Sequence, residues 1–511
     1  MDPAQLITLA IGLFMLDSSG ALLTPAAQVR SQTPAQSMRT VCDTGTGPDC
    51  NSNGVPDACD IAAGTSQDCD GGGIPDECEL GEPRLVAKLI ASDTAGVDHF
   101  GEVIALDGDT AIIGRTVLLG DNDRTGSAYI VRRVDDAWQE VAILSVPGVS
   151  SDASFARAVA LDGDIAVVSA PILNGTYGPG AVYVFQATHG SWELTAQLGG
   201  DAGAGRDGFG YCVSVSDGTI LVGAPYDDEL GEASGAVYAF RETGGNWNRV
   251  AKLTASEAGN GFGKSVAMQH DTAVIGAPGD EDAGDLTGAA YVFSAVNGDW
   301  FQVAKLNRAD ALDPILAHGC WYFGQTVALD NDTILIGMNT CLPEGGAYLY
   351  GKSGDGWHQI CKLSSPFPDD YNFGAGVSLG GGTAVVQSGA TRYVYRETAG
   401  TWRLVSRLTA PAGALSSSWG ADFAANGDTV LLGGQRGGEV APWKGAVYVF
   451  DLSGPANDCN LNGIPDGCDV SAGTSYDCDA DGLPDECVQP VGITDCNRDG
   501  IADACDLTAG T

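Results

Sequence analysis

The sequence predicts an all-β fold: a seven-bladed β-propeller closed by an N-terminal strand, with small disulfide-rich loop repeats at both ends. Three observations predict it. Between Phe262 and Leu306, four runs rich in Val, Ile, Ala and aromatics (FGKSVAM, DTAVIGAP, GAAYVF, WFQVAKL) alternate with Gly, Asp and Asn, as four successive antiparallel strands would. The unit recurs, with seven FG-like starts at Phe100-Gly101, Phe155-Ala156, Phe209-Gly210, Phe262-Gly263, Phe323-Gly324, Phe373-Gly374 and Trp419-Gly420. Seven aromatic strands follow, with Tyr129, Tyr183, Tyr238, Tyr291, Tyr348, Tyr393 and Tyr448, but only six Trp residues open a fourth strand: Trp138, Trp192, Trp247, Trp300, Trp357 and Trp402.

The chain starts with an apolar run of eleven at 6–16 (LITLAIGLFML), too short to span a bilayer as a helix. It suits the core of a signal peptide over 1–21, with small residues at Ser19 and Ala21 for cleavage, although Asp2 stands where a basic residue is usual. No other stretch reads as transmembrane. Residues 22–41, with Pro, Ser and Gln, predict a disordered linker.

Residues 42–80 hold two copies of a short acidic loop. Asp49, Asn51, Asn53, Asp57 and Asp60 place oxygen-bearing side chains at positions 1, 3, 5, 9 and 12, with Gly54 at position 6 and the Val55 carbonyl at 7. A hard cation needs six or more oxygens, and this spacing is that of an EF-hand-type calcium loop. The second copy carries Asp68, Asp70, Asp76 and Glu79, with Gly72 at position 5 weakening it. Three further copies fill 457–511. Asp458, Asn460, Asn462, Asp466 and Asp469 with the Ile464 carbonyl form one, and Asp495, Asn497, Asp499, Asp503 and Asp506 with the Ile501 carbonyl another. Between them, Asp477, Asp479, Asp481 and Asp485 end in Val488 and lose the last ligand. Each copy has Cys at positions 2 and 11, from Cys50 and Cys59 to Cys496 and Cys505, which reads as disulfides in an oxidising compartment. Zinc is disfavoured by the carboxylate surroundings and the absence of CxxC pairs. Copies 18 or 19 residues apart leave no room for two flanking helices each. They resemble thrombospondin type 3 calcium repeats and, more distantly, dockerins, and the implied cofactor is Ca2+.

Residues 84–451 are the predicted propeller. Leu85-Val86-Ala87-Lys88-Leu89 matches the VAKL that ends the fourth strand, yet precedes the first FG, and after Phe450 no Trp strand follows. A ring of blades must close or expose unpaired edges, so the early strand is expected to complete the last blade. An open β-solenoid is the alternative. Phe262-Gly263 with Gly276-Ala277-Pro278, Phe209-Gly210 with Gly223-Ala224-Pro225, and in part Phe155-Ala156 with Ser169-Ala170-Pro171 resemble the FG-GAP repeat of integrin-α-type propellers and bacterial surface proteins. The other units have lost the triplet. Where integrin-type repeats often carry a DxDxDG loop, this chain has tight turns such as Asp107-Gly108-Asp109 and Asp162-Gly163-Asp164, so no propeller calcium site is carried over.

Sixty-six acidic residues against 25 basic give a net charge of −41. That charge repels duplex DNA and anionic membranes; nucleic acid is excluded as a partner, and no membrane insertion is expected apart from the signal peptide. Loops such as Asp227-Asp228-Glu229 and Asp280-Glu281-Asp282 read as solvated hairpin tips or weak cation sites. The histidines His99, His189, His270, His318 and His358 lie in no metal-ligand pattern, and no GxSxG elbow, Walker loop or cysteine-nucleophile signature occurs. The six regular Trp residues suit blade packing better than sugar stacking. Cys320 and Cys341 share one unit and form a possible pair, while Cys42, Cys212 and Cys361 have no evident partner. The expectation is a secreted or cell-surface, calcium-binding, non-enzymatic adhesion or interaction protein with an extracellular protein or glycan ligand, as the integrin-like resemblance implies. The alternatives are a glycan-binding lectin and, on the dockerin-like loops alone, a non-catalytic module of an extracellular polysaccharide-degrading system.

Overall fold

The computed structural model describes residues 83–453, apart from loop segments 94–98, 117–125, 150–153, 173–179, 202–206, 256–260, 282–287, 309–321, 339–344, 364–371, 399–400, 410–418 and 435–444 and residues 136 and 355, together with Cys59. The chain divides into two compact units, Met1–Cys78 and Glu79–Thr511. Cys59, the described residue of the first, is buried and disulfide-bonded. The described part of the second holds 28 strands in seven four-stranded antiparallel sheets.

Blade 3 shows how the repeat becomes a sheet. Its strands run Val213–Ser216, Thr219–Ala224, Ala236–Thr243 and Asn246–Leu253, each paired with the next. Asp217 (φ +48°) and Gly218 (φ +67°) make the first hairpin turn, the two positive-φ positions that match the twist of the flanking strands. The second and third strands are buried on both faces because a neighbouring blade covers each side, so they read as near-continuous apolar runs. The outermost strand alternates, with Leu253 buried and Asn246, Asn248 and Val250 exposed.

The cores lie between blades. Leu221, Val237 and Ala239 of blade 3 pack on Phe262, Ile275, Tyr291 and Phe293 of blade 4. Seven such clusters join the seven sheets, and the one that unites Leu431, Val447 and Val449 with Phe100, Ile113 and Tyr129 links blade 7 to blade 1. In the seventh sheet the strand Arg84–Leu89 pairs antiparallel with Ala446–Asp451, Leu85 opposite Phe450 and Leu89 opposite Val447. Each of the six outer-strand Trp residues packs against one of these clusters, as blade packing requires.

Every outermost strand carries a β-bulge at one place. The pairing skips Val86, Val141, Thr195, Val250, Val303, Ile360 and Val405 in turn. Each is the residue before the Ala, Cys or Ser that re-enters the ladder, so the V of VAKL is a bulge signature. A bulge twists and interrupts an edge strand, which blunts edge-to-edge pairing at the rim.

The repeat's glycines form the joints. Gly101, Gly210, Gly263, Gly324 and Gly374 of the FG pairs have φ between +84° and +91°, a region costly for other residues. Ala156 stands in the same place with φ +62°. The glycine at the first position of the GAP triplet, or its equivalent where the triplet is lost, meets the next blade's FG carbonyl: a Cβ on Gly276 would lie 2.0 Å from the Gly324 oxygen, and one on Gly433 1.9 Å from that of Gly101. The glycine before the third strand likewise touches the following Phe, since a Cβ on Gly235 would lie 2.0 Å from the Phe262 oxygen. In blades 1, 3, 4 and 5 the Phe ring meets its own blade's Tyr edge to face, as in Phe262 with Tyr291 at 5.5 Å between centroids, and in blades 2 and 6 the pair is tilted.

Candidate functional site

The FG pairs, the ends of the second strands and the loops that follow them share one end of the barrel of blades, and the acidic loops of blades 3 and 4 stand there. The sequence suggests solvated tips or weak cation sites for these loops, and the structure corrects this for their first carboxylates. Asp227 and Asp280 are each 2% exposed. Asp280 accepts from the Tyr291 hydroxyl at 2.5 Å and pairs with Lys305 Nζ at 3.2 Å. Asp227 accepts from the Tyr238 hydroxyl at 3.0 Å and pairs with Lys252 Nζ at 2.8 Å. A buried carboxylate needs such partners, and these hold the loop down.

Local structure explains the repetition. Register sets Lys252 opposite Tyr238 and Lys305 opposite Tyr291 on adjacent strands, with each ammonium 5.2 and 5.3 Å from its ring centroid. The loop folds back through one backbone pair: the Gly235 amide donates to the Asp227 carbonyl and the Gly288 amide to that of Asp280, both at 2.9 Å. Blade 3 adds a second carboxylate, Asp201, which accepts from Tyr238 at 3.0 Å and pairs with Lys252 at 3.2 Å and with Arg249. The Arg249 guanidinium holds the Asp201 carboxyl down at about 2. Burial and the neighbouring Asp227 push Asp207 up to about 6. Burial, then the adjacent carboxylates, raises the Tyr238 and Tyr291 phenols. Blade 1 has a variant in which Asp93 takes the Tyr129 hydroxyl at 2.7 Å and Arg115 at 3.1 Å.

Sequence reasoning missed these triads. The signal was there, since the Lys of VAKL and the Tyr of the third strand recur at fixed places, but the one-residue bulge hides which of them face each other. Cys212 and Cys361 are free, in keeping with their lack of an evident partner. All the candidate calcium ligands, from Asp49 to Glu79 and from Asp458 to Asp506, and the Cys320/Cys341 pair lie outside the described residues. Among the described residues no cluster of three or more His, Cys, Asp or Glu is placed to hold a metal ion.

The opposite end carries the hairpin turns, and there the last residue of an inner strand accepts from the next blade's turn. Asp107 accepts from the Gly163 amide at 2.7 Å, Asp162 from Asp217 at 2.8 Å, and Ser216 from His270 at 3.0 Å. Where blade 7 meets blade 1, a cleft of about 410 Å³ opens between Gly108, Asp109, Arg133, Asn426, Asp428 and Asp451. Its carboxylates are already engaged: Asp109 with Arg133 at 2.6 Å, Asp428 with Arg396, and Asp451 with Arg84 at 3.2 Å.

A family model described as FG-GAP repeat matches residues 84–131, 138–185, 192–240 and 247–293. Each match begins on an outermost strand and runs through three strands of the next blade, the same offset that leaves Arg84–Leu89 beside the seventh blade. No curated protein sequence matches the chain. Solved structures with a similar course include the periplasmic gluconolactonase of Pseudomonas aeruginosa, at 14% identity and TM-score 0.41, covering 62% of this chain and 86% of that one. A chain of the mitotic checkpoint complex matches at 9% identity and TM-score 0.43, covering 73% and 95%, and Sqt1 of Chaetomium thermophilum at 14% and 0.40, covering 71% and 87%. The chain is therefore a seven-bladed β-propeller that carries four FG-GAP repeats.

Proposed function

We propose that this chain is a secreted or cell-surface interaction protein whose propeller offers the loops beside the FG pairs as a recognition surface. The observation that carries this reading is the way the loops of blades 3 and 4 are fastened. Asp227 and Asp280 are turned inward onto Tyr and Lys, which fixes the base from which each loop leaves its strand. A surface ordered before binding loses less entropy when a partner docks. Asp201, Asp227 and Asp280 at this end serve ion pairs, a use that favours binding over acid–base chemistry. The strand Arg84–Leu89 would act as the latch that closes the ring, and the flanking loops, each with paired cysteines, would bind Ca2+ and stiffen the two ends. The apolar run at 6–16 and the regular cysteines support export.

The test is an array of glycans and matrix proteins probed with the purified full chain, in calcium and in EDTA. Binding of a defined ligand by wild type supports the reading, and silence in both conditions overturns it. Alongside it, Asp49→Ala and Asp458→Ala are expected to weaken calcium binding in calorimetry while the circular dichroism of the propeller stays unchanged. Collapse of the β-signal in either variant would refute the separation of roles.

A further inference from the structure

Basic residues are scarce in this chain, and several of those described are held by carboxylates. Arg84, Arg115, Arg133, Arg249, Lys252, Lys305 and Arg396 all form ion pairs. Arg157 and Lys264 form none among the described residues. Both occupy the position immediately after the FG pair, in blades 2 and 4, and Tyr211 occupies it in blade 3 between them. Lys264 Nζ lies 4.2 Å from the Tyr211 ring centroid, 5.6 Å from that of Tyr226, and 3.5 Å from the Tyr226 hydroxyl. The Arg157 guanidinium lies 5.7 Å from the Tyr211 centroid. The two rings meet edge to face at 6.1 Å, and Tyr226 is 41% exposed.

Two cations thus converge on one aromatic ring with a second ring open to solvent beside them. Burial works against the Lys264 charge, yet the hydroxyls of Tyr211 and Tyr226 keep its ammonium above the usual range, so it stays charged. Burial pushes the Asp422 carboxyl up to about 6, against the pull of backbone amides and of the charges of Arg392 and Arg157. Aromatic contacts on Lys264 and Arg157 leave N–H donors for a ligand, since a ring face satisfies charge without accepting a directed bond. A carboxylate fits the fork of an Arg, and an ammonium pairs with it as a point charge. An exposed Tyr ring suits the C–H face of a sugar ring. The net charge of −41 disfavours densely charged polyanions, which selects a ligand with sparse carboxylates.

We infer that Arg157, Tyr211, Tyr226 and Lys264 form a binding site for a uronic-acid sugar, its carboxylate on the two cations and its ring face on Tyr226. This rests on the reading of the propeller as a recognition surface and names the ligand class for it. The experiment is calorimetric titration of the full chain with tri-galacturonate and with neutral galactotriose. Tri-galacturonate is expected to bind, at least tenfold tighter than galactotriose, and Lys264→Gln and Arg157→Gln are each expected to weaken it at least tenfold with an unchanged thermal midpoint. Tyr226→Ala, a surface change that leaves the charges in place, is expected to weaken both sugars. Equal affinity for the two sugars, no binding of tri-galacturonate, or full affinity in Lys264→Gln would overturn the inference. A wild-type chain that binds only a neutral glycan or an acidic peptide on the array refutes the uronate site and leaves the recognition surface standing, whereas one that binds nothing removes both.

Discussion

Asp280→Ala isolates what fastens the segment after the second strand of blade 4. The substitution removes a carboxylate that is 2% exposed and strands two partners, the Tyr291 hydroxyl at 2.5 Å and Lys305 Nζ at 3.2 Å. Breaking a buried ion pair from one side costs about 3–5 kcal/mol, and an unsatisfied buried hydroxyl about 1–3 kcal/mol. The two costs overlap because the same carboxylate serves both. Lys305 keeps 17% of its side chain exposed and can turn toward water, which favours the lower end, about 3 kcal/mol. Glu281, exposed and next in sequence, is the control, with an expected effect within about 0.5 kcal/mol. Urea denaturation followed by tryptophan fluorescence reads the difference as a midpoint shift at constant slope. Adding Lys305→Met to Asp280→Ala removes the stranded charge and should recover part of the loss. A cost for Asp280→Ala no larger than that for Glu281→Ala would refute the claim that this carboxylate anchors the loop.

Three other expectations follow from the fold. Deleting Arg84–Leu89 leaves Ala446–Asp451 as a bare edge, and the variant should unfold at lower temperature and self-associate in light scattering; a monodisperse chain with the wild-type midpoint would show that the strand closes nothing. Asp422 has its carboxyl raised by burial to about 6, above the unfolded value of about 3.9, so its contribution to stability is full below pH about 4 and is lost as pH rises through 6. Stability of wild type relative to Asp422→Asn should therefore fall between pH 4.5 and 7.5, and a difference that rises or stays level would contradict the assignment. In blade 6, Gly376→Ser should cost more than about 1 kcal/mol because a Cβ there would lie 2.7 Å from Gln387 Oε1 and 2.9 Å from the Phe423 ring, while adding Gln387→Gly relieves only the first contact and should recover part of the loss, with coupling of about 0.5–3 kcal/mol in a double-mutant cycle.

Much of the architecture was legible in the residues because strand chemistry is local. The seven FG starts, the Tyr strands and the Trp strands each mark a face by alternation, and their offset points to Arg84–Leu89 as the partner of the last blade, the pairing it makes. The site was less legible because it depends on what lies across strands. Asp227 reads as one of a string of surface acids until Lys252 is brought over it by a register that includes the bulge at Val250. Arg157, Tyr211 and Lys264 are scattered along the chain and gather only because each follows an FG pair in consecutive blades. Stacking the repeats on their FG pairs brings those three residues into one column, and that is the signal a linear reading passes over.

The joints explain why the repeat can lose its motif and keep its fold. The GAP triplet is gone from blades 1, 5 and 7, but the glycine that meets the next blade survives as Gly114, Gly337 and Gly433. A Cβ on Gly114 would meet Val103, on Gly223 Cys212, on Gly276 Ser265 and on Gly337 Thr326, all within 2.5 Å, so the residue second after the FG pair fills the space each glycine leaves. Where the glycine is replaced, that residue shrinks: Ser169 faces Ala158, and Gln387 faces Gly376. The volume at the joint is held while its chemistry changes, as close packing demands. The position immediately after the FG pair bears no such constraint, and it is there that Glu102, Arg157, Tyr211, Lys264 and Gln325 differ from blade to blade. A ring whose joints are fixed by volume leaves this inner position free to vary in charge and shape, and that freedom makes one arc of the ring cationic and aromatic in a chain that is otherwise strongly acidic.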